Sequence, residues 1–239
     1  MKPVSYKAMR STKEKEMKAL FINGSPRKNF NTAQIFDKAI EGAQAAGAET
    51  ERIDLYSLNY KGCMSCFACK LKNSKTNGVC AIKDDLRPVL EKAVDADVIV
   101  IGSPIYYNCV TGMTRSFMER LLFPVGSYML DENGKPMNFH KKVLPTALIY
   151  TMNVPEEFLG NYHYKEAFSA HESAMSLVFG HCESLFVCNT YQFKDYSKYA
   201  INMFKEEDKA RHRDAHFPID LQNAFDLGKR LVEMAAANR

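Results

Sequence analysis

The feature that most constrains this chain is an alternation: short, wholly apolar runs of strand length are each followed by a stretch whose apolar residues recur at helical spacing. The first run, Ala19-Leu20-Phe21-Ile22, ends at Asn23-Gly24. Behind it Ile35, Phe36, Ala39, Ile40 and Ala43 share one face of a helix that begins near Asn31 and stops at Gly47. Residues 50–55 read as a second strand, and Leu86, Val89, Leu90, Ala93 and Val94 mark a second helix. Val98-Ile99-Val100-Ile101 has no polar alternation, as expected of a strand covered by helices on both faces. Met113, Phe117, Leu121 and Leu122 mark a third helix, residues 143–150 a fourth strand with Pro145 near its beginning, and residues 167–179 a fourth helix. Residues 185–188 form a fifth strand and residues 221–234 a last helix. Five alternations predict an α/β fold: a parallel sheet wound on both faces by right-handed crossovers.

The 239 residues, 46% of them hydrophobic, suffice for one sizeable core without disulfides, over residues 18–239 after a polar extension at 1–17. That extension is basic with no apolar run, so it suits neither a signal peptide nor a membrane anchor. The net charge of +4 comes from 32 basic and 28 acidic residues interspersed along the chain, which argues against a nucleic-acid surface. No stretch reaches transmembrane length. With seven cysteines and no export signal, the expectation is a reducing cytoplasm. Two longer connections interrupt the alternation: residues 124–142, with the turn signal Asp131-Glu132-Asn133-Gly134, and residues 189–217, rich in Tyr, Phe, Lys and Arg.

Open α/β sheets bind ligands beyond the carboxyl ends of their strands, and the first strand ends in Gly24-Ser25-Pro26-Arg27-Lys28-Asn29-Phe30-Asn31-Thr32. Unpaired amides at the helix start and the helix dipole favour a phosphate there. Ser25, Asn31 and Thr32 add side-chain donors and Arg27 a charged fork, although Ser25 and Asn31 also suit ordinary turn and cap duty. Neither the dinucleotide fingerprint nor the triphosphate loop is present. Gly102-Ser103-Pro104-Ile105-Tyr106-Tyr107-Asn108, followed by Gly112-Met113, forms a second loop, after the third strand.

Together, in this order and spacing, the two loops resemble those of the NADPH-dependent FMN reductases and related iron–sulfur flavoproteins of the flavodoxin-like superfamily. The similarity is good from Lys18 to Leu122 and looser afterwards. The resemblance implies a flavodoxin-like, doubly wound five-stranded sheet of order 2-1-3-4-5 that binds FMN. Ser25, Arg27, Asn31 and Thr32 would hold the phosphate; Pro104, Ile105, Tyr106, Tyr107 and Asn108 would wrap the ribityl chain and ring, with Thr151, Met152 and Asn153 as a third contact. The flavin carries the chemistry in such proteins, so no catalytic side chain is expected. The implied activity is that of an FMN-dependent NAD(P)H oxidoreductase, passing electrons from NADPH or NADH to a quinone, flavin or similar small acceptor. The alternative is an FMN electron carrier serving a protein partner; many carriers of this fold are acidic, whereas this chain is mildly basic. A third reading is a binding module for another phosphate-bearing ligand. The connections 124–142 and 189–217 suggest a homodimer or larger homo-oligomer, in which they cover a neighbour's flavin.

Cys63, Cys66, Cys69 and Cys80 stand between the second strand and second helix. Cys-x2-Cys-x2-Cys lets one loop present three thiolates to a [4Fe–4S] cluster. The segment resembles the cluster loop of the iron–sulfur flavoproteins, but the ten residues between Cys69 and Cys80 exceed that family's usual interval. Zinc on the same sulfurs, or four reduced thiols, are the other readings. Cys109, Cys182 and Cys188 read as packed thiols, and the six histidines as surface or loop residues rather than ligands.

Overall fold

The computed structural model describes residues 16–76, 78–138, 143–160 and 163–239. The extension expected over residues 1–17 thus lies outside the described residues except for Glu16 and Met17, as do Asn77 and residues 139–142 of the first long connection. In chain order the elements are β1 (Met17–Asn23), α1 (Asn31–Ala45), β2 (Ala48–Asp54), α2 (Arg87–Asp95), β3 (Val98–Tyr106), β4 (Cys109–Val110) and α3 (Gly112–Val125). They continue with β5 (Gly126–Leu130), β6 (Pro136–Asn138), β7 (Leu144–Thr151), α4 (Tyr164–Phe179), β8 (Gly180–Val187) and α5 (Glu206–Ala237).

The main sheet has the order β2-β1-β3-β7-β8 with every neighbouring pair parallel. This is the expected 2-1-3-4-5 arrangement, with β7 and β8 as its fourth and fifth strands. The apolar runs explain it residue by residue. Leu20, Ile22, Ile99, Ile101 and Leu148 face a core shared with α2, α3 and α4, while Phe21, Val98, Val100, Ala147 and Ile149 face a second core under α1 and α5. A strand buried on both faces has no room for polar alternation, and none is seen.

Several boundaries differ from those read in the sequence. β3 continues to Tyr106, so Ser103, Pro104 and Ile105 sit on a strand rather than in a loop. Pro104 is accommodated because β1 pairs with β3 only as far as Gly102, leaving the missing N–H of Pro104 without a strand to serve. The last helix begins at Glu206, 15 residues before Leu221, and runs through Pro218. Its first half buries only Lys209 and Phe217, too narrow an apolar face to produce a helical pattern in the sequence. The connection 124–142 contains a β5–β6 hairpin, whose turn is closed by Asp131 Oδ1 accepting from the amides of Asn133 and Lys135 at 2.9 and 2.8 Å. Cys109 is exposed on the two-residue β4 rather than packed, because the hairpin carries it out of the sheet. His171 is buried on α4 rather than at the surface, and His212 and His216, one helical turn apart on α5, stack with ring centroids 4.4 Å apart. No helix among the described residues is long and apolar enough to cross a membrane.

Candidate functional site

The carboxyl ends of β1, β3, β7 and β8 meet at one edge of the sheet, and hydrogen bonds tie the loops leaving them together. Asn23, buried at the end of β1, donates to Asp54 Oδ1 at the end of β2 (2.7 Å) and accepts from the Ser25 amide (3.1 Å), which bends the chain into the following loop. The Gly24 amide donates to the Gly102 carbonyl (2.7 Å), and the Thr111 hydroxyl donates to the Gly24 carbonyl (2.9 Å). Gly24 is needed for this approach, since a Cβ there would stand 1.8 Å from Thr114 Oγ1. On the other side, the Met152 amide donates to the Val187 carbonyl and the Thr190 amide to the Met152 carbonyl, at 2.9 and 3.0 Å.

These loops enclose a cavity of about 590 Å³. Ten of the twelve residues read from the sequence as cofactor contacts line it: Ser25, Arg27, Asn31, Thr32, Pro104, Ile105, Tyr106, Thr151, Met152 and Asn153. The Thr32 and Thr151 hydroxyls are 2.8 Å apart across its floor. Phe30 is the N-cap of α1 and no side chain caps the helix, so its first amides have no side-chain partner. Asn153 Oδ1 is buried without a partner and lines the same cavity, an acceptor suited to a hydroxyl or N–H of a bound ligand.

Tyr107 and Asn108 are placed elsewhere. With φ of +47° and +65° they are the two central residues of the β3–β4 hairpin turn, which directs the Tyr107 ring fully into solvent. Part of the second long connection, which the sequence suggests as cover for a neighbour's flavin, lines this chain's own cavity. Residues 190–199 fold over their own chain's loop: Arg27 Nη1 donates to the Gln192 carbonyl and Asn31 Nδ2 to the Tyr191 carbonyl, both at 2.6 Å. Phe193 and Tyr199 stack with centroids 3.9 Å apart at the cavity wall, beside Lys194 and Lys198. The signal for this was available, because a segment leaving the fifth strand must start at the same sheet edge.

Lys209 of α5 is the second contribution that sequence reasoning missed. It is 2% exposed, and its ammonium donates to the Asn153 carbonyl and to Asn189 Oδ1 (2.6 Å), clamping the loops after β7 and β8. Burial lowers its pKa from 10.5 to about 8. The folded protein therefore releases this proton before the unfolded chain does, so the penalty for burying the charge is present below pH 8 and disappears as pH rises towards 10.5. Stability attributable to Lys209 should rise across that window. Thermal midpoints measured for the wild type and a Lys209→Met variant from pH 8 to 10.5 should shift in the wild type's favour with pH; a constant difference would contradict this assignment.

The four cysteines between β2 and α2 line a second, small cavity of about 20 Å³ together with Arg120 and Glu119 of α3. Cys69 and Cys80 are buried, Cys63 and Cys66 exposed. The loop is fastened to α3 through the Cys63 amide on Glu119 Oε2 (3.2 Å) and the Tyr60 hydroxyl on the Met113 carbonyl (2.7 Å); Lys70 Nζ donates to the Gly126 carbonyl. No set of three His, Cys, Asp or Glu side chains among the described residues converges as a single metal ion requires. The donor set is instead that of a cluster, in which each of four sulfurs binds a different iron, and a space of this size admits one only if the loop opens at the exposed Cys63 and Cys66. A buried donor in the same cavity, Nε of Arg120, is left without a partner, as a site built for an anionic group would leave it. By contrast, burial pushes the thiols of Cys182 and Cys188 up to about 11 and about 12, which keeps them protonated and inert near neutrality.

Comparison with known proteins agrees with this geometry. A family model for NADPH-dependent FMN reductases matches residues 17–156. An iron–sulfur flavoprotein of Archaeoglobus fulgidus is 40% identical over 115 residues, 48% of this chain and 54% of that protein. An iron–sulfur flavoprotein of Methanocaldococcus jannaschii is 36% identical over 104 residues, 44% of this chain and 51% of that protein. The chain thus spans about half the length of the curated relatives it matches. Among solved structures, an NAD(P)H:quinone oxidoreductase from Methanothermobacter marburgensis superimposes with a TM-score of 0.65 at 15% identity, over 91% of this chain and all of the other. An azoreductase from Bacillus anthracis gives 0.62 at 14% identity, over 90% of this chain and 99% of the other. At such identities the likeness is one of fold.

Proposed function

The chain belongs to the NADPH-dependent FMN reductase family, and from that membership we propose that it is an FMN-dependent NAD(P)H oxidoreductase passing electrons to a quinone, flavin or similar small acceptor. The observation that carries this reading is the cavity itself. Ser25, Arg27, Asn31 and Thr32, residues 104–106 and residues 151–153, distant in sequence, line one space at the carboxyl edge of the sheet, together with the 193/199 aromatic pair. In this proposal Ser25, Thr32 and the uncapped amides of α1 receive the FMN phosphate, and Arg27 adds positive charge. Pro104, Ile105 and Tyr106 orient the ring from one side, and Thr151, Met152 and Asn153 from another. Bound FMN supplies the redox chemistry, taking two electrons from a nicotinamide and passing them on. The protein's own work is to fix the cofactor, limit water around it and leave room for the nicotinamide and the acceptor. We place the protein in the cytoplasm, as a homodimer or larger homo-oligomer. Supporting the latter, Tyr128 and Leu130 of the β5–β6 hairpin and Leu177 of α4 form exposed apolar surface, being 76%, 61% and 67% exposed.

A second reading, an iron–sulfur flavoprotein serving a redox protein, is favoured by the cysteine-lined cavity with its unpartnered buried Arg120 Nε. The two are separated by measurement on protein prepared and reconstituted without oxygen. Steady-state oxidation of NADPH or NADH with a quinone, dependent on bound FMN, supports the oxidoreductase; bound FMN without nicotinamide oxidation would overturn it. Close to four iron and four sulfide per chain, lost in a Cys66→Ala variant, is the expected result if Cys63, Cys66, Cys69 and Cys80 hold a cluster. Iron-free protein after reconstitution would remove that part alone.

A further inference from the structure

Arg120 is among the largest fully buried side chains, and its side chain is 0% exposed. It lies across the base of the cysteine loop. Nη1 and Nη2 grip the two carboxylate oxygens of Asp84 at 2.5 and 2.9 Å, and they also donate to the carbonyls of Lys61 (3.1 Å) and Ile82 (3.4 Å), which flank the loop on either side of the four cysteines. The guanidinium also lies within reach of the Cys80 thiol. One donor remains: Nε, buried and unpartnered, in a side chain lining the cavity that Cys63, Cys66, Cys69 and Cys80 share. A charged donor buried in this way costs stability unless an acceptor occupies the space. Among the described side chains lining that cavity the acceptors are the four cysteine sulfurs and the Glu119 carboxylate, whose oxygens already accept from the Cys63 amide and from Arg115 Nε. The sulfurs are therefore the acceptors left for Nε, and thiolates bound to iron are better acceptors than thiols.

We propose that Arg120 is the positioning residue of the cysteine site, donating to the sulfur shell of an iron–sulfur group and setting its reduction potential. This rests on the reading that the cysteine loop binds such a group. Uptake of one electron makes the site more negative by one charge and moves no proton, so a fixed cation in a buried place favours the reduced state. The reduction potentials of such groups are set by net charge, hydrogen bonds to sulfur and exposure, and Arg120 acts through the first two. Asp84 opposes it, since the carboxylate partly cancels the charge while holding the guanidinium in place.

The test is a potentiometric titration of the reconstituted protein, followed by absorbance and electron paramagnetic resonance, with iron and sulfide counted for each variant. In an Arg120→Met/Asp84→Asn protein, which removes the buried pair together, the reduction equilibrium should shift at least tenfold towards the oxidised state, a fall of 59 mV for one electron. In Asp84→Asn alone, which keeps Arg120 and an acceptor for it, the potential should move upward. An Arg120→Lys protein, which retains the charge, should stay closer to the wild type than the Met variant. A purely structural role for Arg120 would change cluster content without moving the potential in opposite directions. Full iron content with an unchanged midpoint in both the double variant and Asp84→Asn overturns the proposal. If the double variant does not hold iron, Asp84→Asn decides by itself, and an unchanged midpoint there is sufficient to overturn it. Wild-type protein that takes up no iron removes the cluster reading and this proposal together, a result distinguishable by the iron count.

Discussion

Replacing Arg27 and Thr32 together with alanine is expected to weaken FMN binding by roughly a hundredfold, on the basis of about 1.5–3 kcal/mol for a hydrogen bond to a charged group. The two side chains act in different ways. The Thr32 hydroxyl stands at the floor of the cavity, held 2.8 Å from that of Thr151, so its removal takes away a fixed polar partner and leaves Thr151 facing a gap. Arg27 lies over the Phe30 ring, 4.0 Å from its centroid, and ties residues 190–199 to the loop through the Gln192 carbonyl. Its loss removes a positive charge from the phosphate end and also the fastening of the cavity wall. Because both residues belong to one site, the double variant should not equal the sum of the singles. Titration of the apoprotein with FMN, followed by quenching of flavin fluorescence, measures the effect. An unchanged dissociation constant in the double variant would mean that this loop does not hold the phosphate.

The second large effect is expected far from the cavity, where α1 and α5 pack backbone to backbone. A Cβ on Gly42 would stand 1.9 Å from the Phe225 carbonyl oxygen, and one on Gly228 would stand 1.9 Å from that of Ala39. In both cases the obstructing atom is main chain, which cannot rotate away, so the helices must separate along a seam that otherwise buries Ala39, Ala43, Ala224 and Leu231. Overpacking of this kind costs about 3 kcal/mol. For a chain of this length that corresponds to a fall of about 6–12 °C in the thermal midpoint for either Gly42→Ala or Gly228→Ala. Gly112→Ala provides the control, because a Cβ there meets nothing within 4 Å. If Gly228→Ala melts with the control, the seam is looser than described. The seam also concerns the site, since α5 carries Lys209 to the loops after β7 and β8. Gly228→Ala is therefore expected to weaken FMN binding modestly as well as lower the melting temperature.

What the amino-acid sequence determined by itself is whatever repeats locally. The continuous apolar runs at residues 19–22 and 98–101 could only be strands covered on both faces, and their alternation with helical patterns fixed a parallel, doubly wound sheet whose order the structure reproduces. The loop after β1 was legible for the same reason: its glycine, serine, asparagine and threonine are contiguous, and a helix starts directly behind them. The spacing of Cys63, Cys66 and Cys69 was equally plain. Tertiary structure decided everything that depends on partners distant in the chain. Tyr107 and Asn108, expected to wrap the ribityl chain and ring, stand at the tip of a hairpin that only the pairing of Ile105 with Val110 and Tyr106 with Cys109 reveals. Residues 190–199 carry no periodic signal, and only the hydrogen bonds from Arg27 and Asn31 show that they close their own chain's cavity. Lys209 and Arg120 carry no signal in the sequence, because a long cationic side chain is ordinarily solvated. Each is buried only because carbonyls and carboxamide or carboxylate oxygens from other segments converge on it, at Asn153 and Asn189 for Lys209 and at Lys61, Ile82 and Asp84 for Arg120. Burial of a charge is a property of the assembled neighbourhood, so neither composition nor periodicity carries it, and the two residues that organise the cavities became visible only in the fold.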